Sequence, residues 1–160
     1  PKLQTTIFNG FELRAAVAPY TGGGYMHTTD DRTPVTFITR YYLDKIKRLC
    51  DAHGTKLLFV TAPSPVNHTM QRHNEVQALA DALAVPYLDL NLNTEELGID
   101  WNLDTLDGGD HLNYTGCQKA TAYLQRYMQT HYTLPDRRDD VRYEAWNKQA
   151  EEFEKLLPQP

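Results

Sequence analysis

The run Lys56-Leu-Leu-Phe-Val-Thr-Ala62 decides the fold class, because it is almost continuously apolar over the length of a strand. Gly54 precedes this run and Pro63 follows it, so both ends carry residues that interrupt regular structure. A strand without polar alternation is typical of a sheet that is covered on both faces, as parallel sheets are. The run therefore predicts a buried strand of a parallel sheet.

Helical patterns flank this strand on both sides. Thr33-Pro34 predicts the start of a helix that ends at Gly54, and its apolar face consists of Ile38, Tyr42, Ile46, Leu49 and Cys50. A second helix is predicted over residues 69–84, and Pro86-Tyr-Leu-Asp-Leu90 follows it as a second short strand. Strands that alternate with helices predict an α/β fold with a parallel sheet.

The chain after the second strand is mainly loop and helix. Residues 91–113 are predicted to form a long polar loop with one helical turn near Thr94–Leu97, and a helix is predicted from Tyr114 to Thr130. We divide the chain into an α/β domain, residues 1–134, and a C-terminal region, residues 135–160. In that region a tail helix over residues 139–157 is predicted to pack on the domain through a stripe that includes Trp146. Two strands are too few for a complete sheet, so either residues 1–30 add strands or part of the sheet lies outside the chain.

Composition argues against two classes of partner. The 160 residues carry a formal net charge of −5, whereas a surface that binds nucleic acid normally has a basic excess. No apolar stretch approaches the length that crosses a bilayer. The chain begins at Pro1 without an initiator methionine, so we expect a fragment or a processed product, and a targeting segment or membrane anchor could belong to the parent protein.

The loop over residues 91–113 carries the main candidate residues for catalysis or binding. Ligands of open α/β sheets bind at the carboxyl ends of the strands, where this loop and residues 62–68 are both expected. Asp107, Asp110 and His111 fit a general base with an orienting carboxylate, and Gly108 and Gly109 allow the sharp turn between them. A plain turn is the simpler reading. A calcium-binding loop is a third interpretation, but the spacing of the acidic residues does not match an EF-hand.

The remaining histidines are weaker candidates for a site. His68 and His73 are five residues apart around the start of a helix, and we expect both to be solvated. No histidine pair has the helical spacing of a zinc protease. No metal and no organic cofactor is expected.

The segment Asp107-Gly-Gly-Asp-His-Leu-Asn-Tyr-Thr-Gly116 resembles the last motif block of the SGNH/GDSL hydrolase superfamily. More narrowly, the chain resembles a bacterial group of membrane-anchored, extracytoplasmic SGNH proteins. Further stretches fit that group: Pro19-Tyr-Thr-Gly-Gly-Gly-Tyr-Met26, Tyr41-Tyr-Leu-Asp-Lys-Ile46, Leu58-Phe-Val-Thr-Ala-Pro-Ser-Pro65, Trp101-Asn102 and Leu134-Pro-Asp-Arg137.

The resemblance implies a three-layer α/β fold with a mostly parallel, flavodoxin-like sheet that is incomplete in this chain. It also implies an esterase or O-acyltransferase that acts on acyl groups, above all acetyl groups, of a cell-surface carbohydrate. His111 would be the catalytic base. The superfamily places an Asp three residues before this His, where the present chain has Gly108. We therefore favour Asp107 as the orienting carboxylate, with Asp110 second.

The superfamily's nucleophile block, of the Gly-Asp-Ser type, is absent from the sequence. Ser64 is the only serine, and it lies in a Pro-Ser-Pro turn. Ser64 and Asn67 are therefore weak candidates for contacts with substrate. Two hypotheses remain. Either the half of the domain that bears the nucleophile precedes Pro1, or the chain is a non-catalytic SGNH-like domain that binds a glycan or a protein partner.

Overall fold

The structure of the protein is a computed structural model, and it describes residues 12–157. Its regular elements, in chain order, are α1 Phe37–Ala52, β1 Phe59–Thr61, α2 Met70–Leu83, β2 Tyr87–Asp89, a 3-10 helix Leu90–Asn93, α3 Thr94–Leu97, α4 Tyr114–His131, a 3-10 helix Val141–Tyr143 and α5 Glu144–Glu154. None of the described helices is long and apolar enough to cross a membrane.

The sheet consists of β1 and β2, which pair in parallel with Phe59 opposite Tyr87 and Thr61 opposite Asp89. Helix α2 connects them, as the prediction of a parallel α/β unit requires. The mixed α/β class is therefore confirmed. Among the described residues the sheet has these two strands, and residues 12–30 contribute none. Residues 1–11, which belong to the 1–30 range considered as a source of further strands, lie outside the described residues.

The core of the sheet region lies where α2 and the chain around β2 meet. Thr69 caps α2 by accepting a hydrogen bond from the backbone N–H of Arg72, and Ala84 ends the helix in the left-handed conformation. Each leucine buried here stabilises the fold by about 1.5–3 kcal/mol. The buried apolar residues include Leu79, Ala80, Val85, Leu88, Leu90 and Leu97.

Helix α1 begins later than the Thr33-Pro34 signal predicted. Its N-cap is Thr36, whose hydroxyl accepts a hydrogen bond from the backbone N–H of Thr39. Upstream, the Thr33 N–H donates to the carbonyl of Gln71 at 3.1 Å, and the Val35 N–H donates to Glu75 Oε1 at 3.4 Å. These bonds to α2 hold the chain extended, so the tertiary contact overrides the local start signal.

The apolar face predicted for α1 exists but is not covered by the described residues. Tyr42 is 58 % exposed and Leu49 is 62 % exposed, and α1 has no buried residue. The prediction that the first strand is buried on both faces is wrong, since Val60 in β1 is 41 % exposed. Among the described residues, apolar side chains are thus left exposed on α1 and at Val60 of β1.

Backbone contacts divide the chain into two compact units. One comprises residues 15–123 and contains the sheet, and the described part of the other comprises residues 12–14 and 124–157. The tail helix in the second unit is shorter than predicted, because a 3-10 turn precedes α5. Trp146, predicted to lie on a packing stripe, is 61 % exposed. The division at residues 134 and 135 stays a prediction.

Candidate functional site

A short hairpin loop presents the predicted Asp/His segment. Thr105 and Leu112 pair as an isolated antiparallel bridge, and the Leu106 N–H donates to the His111 carbonyl at 2.9 Å. Gly108 and Gly109 turn the chain with φ of +74° and +99°, values that side chains with a Cβ rarely adopt. The two glycines thereby fold the loop back on itself and bring its acidic residues to the histidine.

His111 and Asp107 form a two-point contact at the tip of this hairpin. Asp107 Oδ2 lies 2.8 Å from His111 Nδ1, and Asp107 Oδ1 accepts the His111 backbone N–H at 2.7 Å. Asp110 Oδ2 is farther away, at 3.6 Å from the same ring nitrogen. The His111 side chain is 66 % exposed. Asp107 is therefore the carboxylate that fixes the orientation of the ring.

The Asp107 carboxyl is held in its ionised form. The hydrogen bond from the His111 backbone N–H contributes most, and together with the His111 ring it keeps the pKa of Asp107 below its usual range, although burial opposes it. An ionised Asp107 requires a proton on His111 Nδ1 for a hydrogen bond, which leaves Nε2 of the neutral ring as its basic nitrogen. That arrangement suits a general base.

The loop after β1, which we expected at the same edge of the sheet, contacts the hairpin. The Asn67 side-chain amide donates to Asp110 Oδ1. Ser64 Oγ donates to the Asp110 carbonyl at 2.9 Å and lies 3.3 Å from the Gly109 carbonyl. The five predicted site residues therefore converge, but Ser64 directs its hydroxyl to the backbone of the hairpin.

Aromatic residues surround the inner side of the hairpin. A Cβ at Gly109 would lie 2.8 Å from Pro65 Cγ and 2.9 Å from the Tyr20 ring, so only glycine fits there. The Trp101 ring meets Tyr20 and Tyr25 edge to face, with centroids 6.1 and 6.0 Å apart. The hairpin thus packs against Pro65 and this group of aromatic side chains.

A buried polar cluster fixes the start of α4 behind the hairpin. Asn113 Oδ1 accepts from the Gly116 N–H at 3.2 Å and acts as a helix cap. The buried Asp104 carboxylate accepts hydrogen bonds from Lys119 Nζ and from the Thr115 hydroxyl. Burial raises the pKa of Asp104, but these bonds outweigh that effect and lower it below its usual value.

A second convergence of polar side chains, which we did not predict, lies at the carboxyl end of β2. The Asp89 side chain is 1 % exposed, and its Oδ2 lies 2.8 Å from His68 Nε2, 2.8 Å from His73 Nδ1 and 3.1 Å from the Tyr87 hydroxyl. The prediction that His68 and His73 are solvated is wrong for His68, which is buried, and His73 is only partly exposed.

Asn91 connects this Asp89 cluster to the loop after β1. Its Nδ2 donates to Asp89 Oδ1 at 2.8 Å and to the Ala62 carbonyl at 3.0 Å, while its Oδ1 accepts from the Ser64 N–H at 2.9 Å. Burial raises the pKa of Asp89, but hydrogen bonds from His68 and Asn91 outweigh it and hold the pKa well below its usual range. An ionised Asp89 thus anchors the loop that carries Ser64 and Asn67.

Within the described residues, one group has the donor set and spacing to approach a cation. A ligand atom from each of Asp107, Asp110 and His111 lies within 4.8 Å of the other two. Carboxylates and imidazole are common metal ligands, yet exposed acidic groups with this spacing are frequent without a metal. The absence of a metal from the site stays an expectation.

Comparison with known proteins adds no assignment. The chain matches no protein-family model, no curated protein and no solved structure.

Proposed function

We propose that this chain supplies the histidine and carboxylate of a serine esterase or O-acyltransferase of the SGNH/GDSL type. The contact between His111 Nδ1 and Asp107 Oδ2 at 2.8 Å carries the proposal. In such a pair the carboxylate fixes the tautomer of the ring and stabilises the imidazolium that forms when the ring takes a proton. The resemblance of residues 107–116 to the last SGNH motif block supports the same role.

The proposed reaction is acyl transfer through a covalent intermediate. A serine from the other half of the domain attacks the ester carbonyl, and His111 takes the proton of that hydroxyl. The protonated His111 then returns the proton to the leaving alcohol, which gives an acyl-enzyme. Water or an acceptor hydroxyl releases the acyl group in a second step of the same kind, and no metal is required.

The uncovered surface of α1 and β1 supports a missing half. Parallel sheets usually have more than two strands and are covered on both faces. The exposed apolar residues of α1, together with Val60, offer the place for them. We propose that residues upstream of Pro1 complete a three-layer SGNH sheet here and provide the nucleophile.

The substrate and the location follow from the same resemblance. We propose an acyl ester, in particular an acetyl ester, of a cell-surface carbohydrate as substrate. The parent protein would work outside the cytoplasm, with a membrane anchor in the part that precedes this chain. Nucleic acid is not expected as a partner, in keeping with the net charge of −5.

One observation favours a non-catalytic binding or scaffold domain as the second candidate. Ser64 is the only serine of the chain, and its hydroxyl is bonded to the backbone carbonyl of Asp110. The chain by itself therefore presents no activated serine. In that case the surface around His111 would bind a glycan or a protein partner without turning it over.

An assay of aryl acetate hydrolysis by the parent protein separates the two candidates. We expect His111→Ala to lower kcat by about 10²–10⁴-fold, since that is the usual contribution of a general base. His53→Ala is the matched control, because His53 lies at the C-cap of α1 and is expected to leave turnover unchanged. Undiminished turnover in His111→Ala would contradict the catalytic proposal.

A further inference from the structure

A surface cavity of about 310 Å³ lies in the second unit, among Arg137, Arg138, Tyr143, Trp146 and Asn147. We call it the Trp146 cavity. Its volume falls at the lower end of the range for small-molecule sites, about 300–1,000 Å³. The 61 % exposure of Trp146 leaves a large aromatic face open at this position. An exposed aromatic beside a cavity is a common feature of binding sites.

The charges around the Trp146 cavity are already compensated. Arg138 Nε donates to both carboxylate oxygens of Asp136, at 2.9 and 3.0 Å. Arg137 Nη1 lies 3.6 Å from Asp140 Oδ2, which also pairs with Arg142 at 2.6 Å, and the Arg137 guanidinium lies over the Tyr143 ring at 5.4 Å from its centroid. Residues 136–142 carry three arginines and three aspartates, so the rim offers N–H donors without a net positive charge, and an anion would compete with carboxylates already in place.

We propose that the Trp146 cavity binds one or two units of a neutral saccharide. A pyranose ring has a face of C–H groups, which stacks on an indole because the aromatic face is negatively polarised. Its hydroxyl groups accept hydrogen bonds from the guanidinium and amide N–H groups of Arg137, Arg138 and Asn147. The charge-compensated rim suits an uncharged ligand, and the Trp146 indole supplies the stacking surface.

This proposal does not depend on catalysis at His111. All lining residues lie within residues 137–147, so the saccharide would bind whether or not the chain forms part of an esterase. A failed esterase assay leaves the Trp146 cavity unaffected, and a failed binding assay leaves the role of His111 unaffected. The two proposals therefore fail separately.

Fluorine NMR of the full 160-residue chain labelled with 5-fluorotryptophan tests the proposal. The chain has two tryptophans, so Trp101 serves as an internal control and Trp146→Phe assigns the resonances. With cellobiose as the probe, we expect the Trp146 resonance alone to move and to saturate with a Kd of about 1–5 mM. Trp146→Ala should abolish binding, whereas Val141→Ala, at an exposed residue that does not line the cavity, should keep it.

Other probes separate the alternatives. Digalacturonic acid represents an anionic ligand and a proline decapeptide represents a polyproline segment. Arg138→Gln keeps a hydrogen-bond donor, so cellobiose binding should weaken less than about tenfold. Three results would overturn the proposal: no movement of the Trp146 resonance up to about 50 mM cellobiose, roughly ten times the expected Kd; equal movement of both tryptophan resonances; or tighter binding of the anion or the peptide than of cellobiose.

Discussion

Asp107 holds His111 through both of its carboxylate oxygens, one on the imidazole and one on the backbone N–H of the same residue. The orientation of the His111 ring therefore depends on a side chain four residues earlier. Asp110, although adjacent in sequence, lies 3.6 Å from the ring nitrogen and accepts a hydrogen bond from Asn67 instead. The two aspartates thus have separable roles.

Replacing each aspartate separately tests this difference. In the parent protein we expect Asp107→Asn to lower kcat by about 10²–10⁴-fold, because the amide can no longer stabilise an imidazolium at His111. Asp110→Asn should lower kcat by less than about tenfold, since Asp110 is not the primary partner of the ring. Turnover of an aryl acetate measures both, and equal losses would contradict the assignment.

Ser64 is predicted to tether a loop and not to act as a nucleophile. Ser64→Ala removes the hydrogen bond to the Asp110 carbonyl, so the free energy of unfolding should fall by about 1 kcal/mol. Urea denaturation of the chain measures this change. Turnover of the parent protein should stay within about threefold of wild type. Abolished turnover would instead identify Ser64 as the nucleophile.

Asp89 is predicted to be a main electrostatic anchor of the sheet region. Asp89→Asn replaces the buried carboxylate that binds two histidines with a neutral amide, so we expect a loss of about 1.5–3 kcal/mol in the free energy of unfolding. Asp30→Asn is the matched control, because Asp30 is exposed, and its effect should stay within about 0.5 kcal/mol. A loss at Asp89 no larger than the control's would show that the cluster contributes little.

The depressed pKa of Asp89 also predicts how stability depends on pH. A carboxyl whose pKa is lower in the folded chain than in the unfolded chain, about 3.9, stabilises the fold above that value. This contribution is lost as pH falls below about 4 toward the folded pKa. The stability difference between wild type and Asp89→Asn should therefore shrink between about pH 5 and pH 3, measured by urea unfolding at each pH. A constant difference would contradict the depressed pKa.

Gly116 is predicted to be irreplaceable despite its place in a helix. A Cβ there would overlap the backbone oxygen of Asp104, so Gly116→Ala should destabilise the fold by about 1–3 kcal/mol. Alanine is otherwise the better helix former by about 1 kcal/mol. Gly23→Ala is the control, since no heavy atom lies within 4 Å of a Cβ at Gly23. Thermal unfolding compares the two, and an unchanged midpoint for Gly116→Ala would show that α4 can shift.

Most helices and strands could be located from the sequence, because each carries its own capping residue or its own periodicity of apolar residues. The Thr69 cap and the apolar spacing of α2 lie within one helix, and β2 follows its proline directly. The meeting of Asn67 with Asp110 could also be predicted, because both loops leave the same edge of a parallel sheet. These inferences need no knowledge of distant contacts.

Contacts between distant segments explain what the sequence did not reveal. The start of α1 is displaced by hydrogen bonds from Thr33 and Val35 to α2, and no local pattern marks those bonds. The burial of His68 depends on the register that places Thr61 opposite Asp89. The five-residue spacing of His68 and His73 gives no sign of a shared partner. Only the fold shows that the Asp89 carboxylate lies between them.

The hairpin that bears His111 has a consequence for how such a site can be inherited. Its histidine, its carboxylate, its turn glycines and its closing bridge all lie within residues 105–112. Eight consecutive residues therefore encode the geometry of the pair, and a single recombination or a designed graft could move it intact into another scaffold. The Tyr20 ring and Pro65, which pack against Gly109, would not be transferred with it. A recipient scaffold would need its own surface against which this loop can rest.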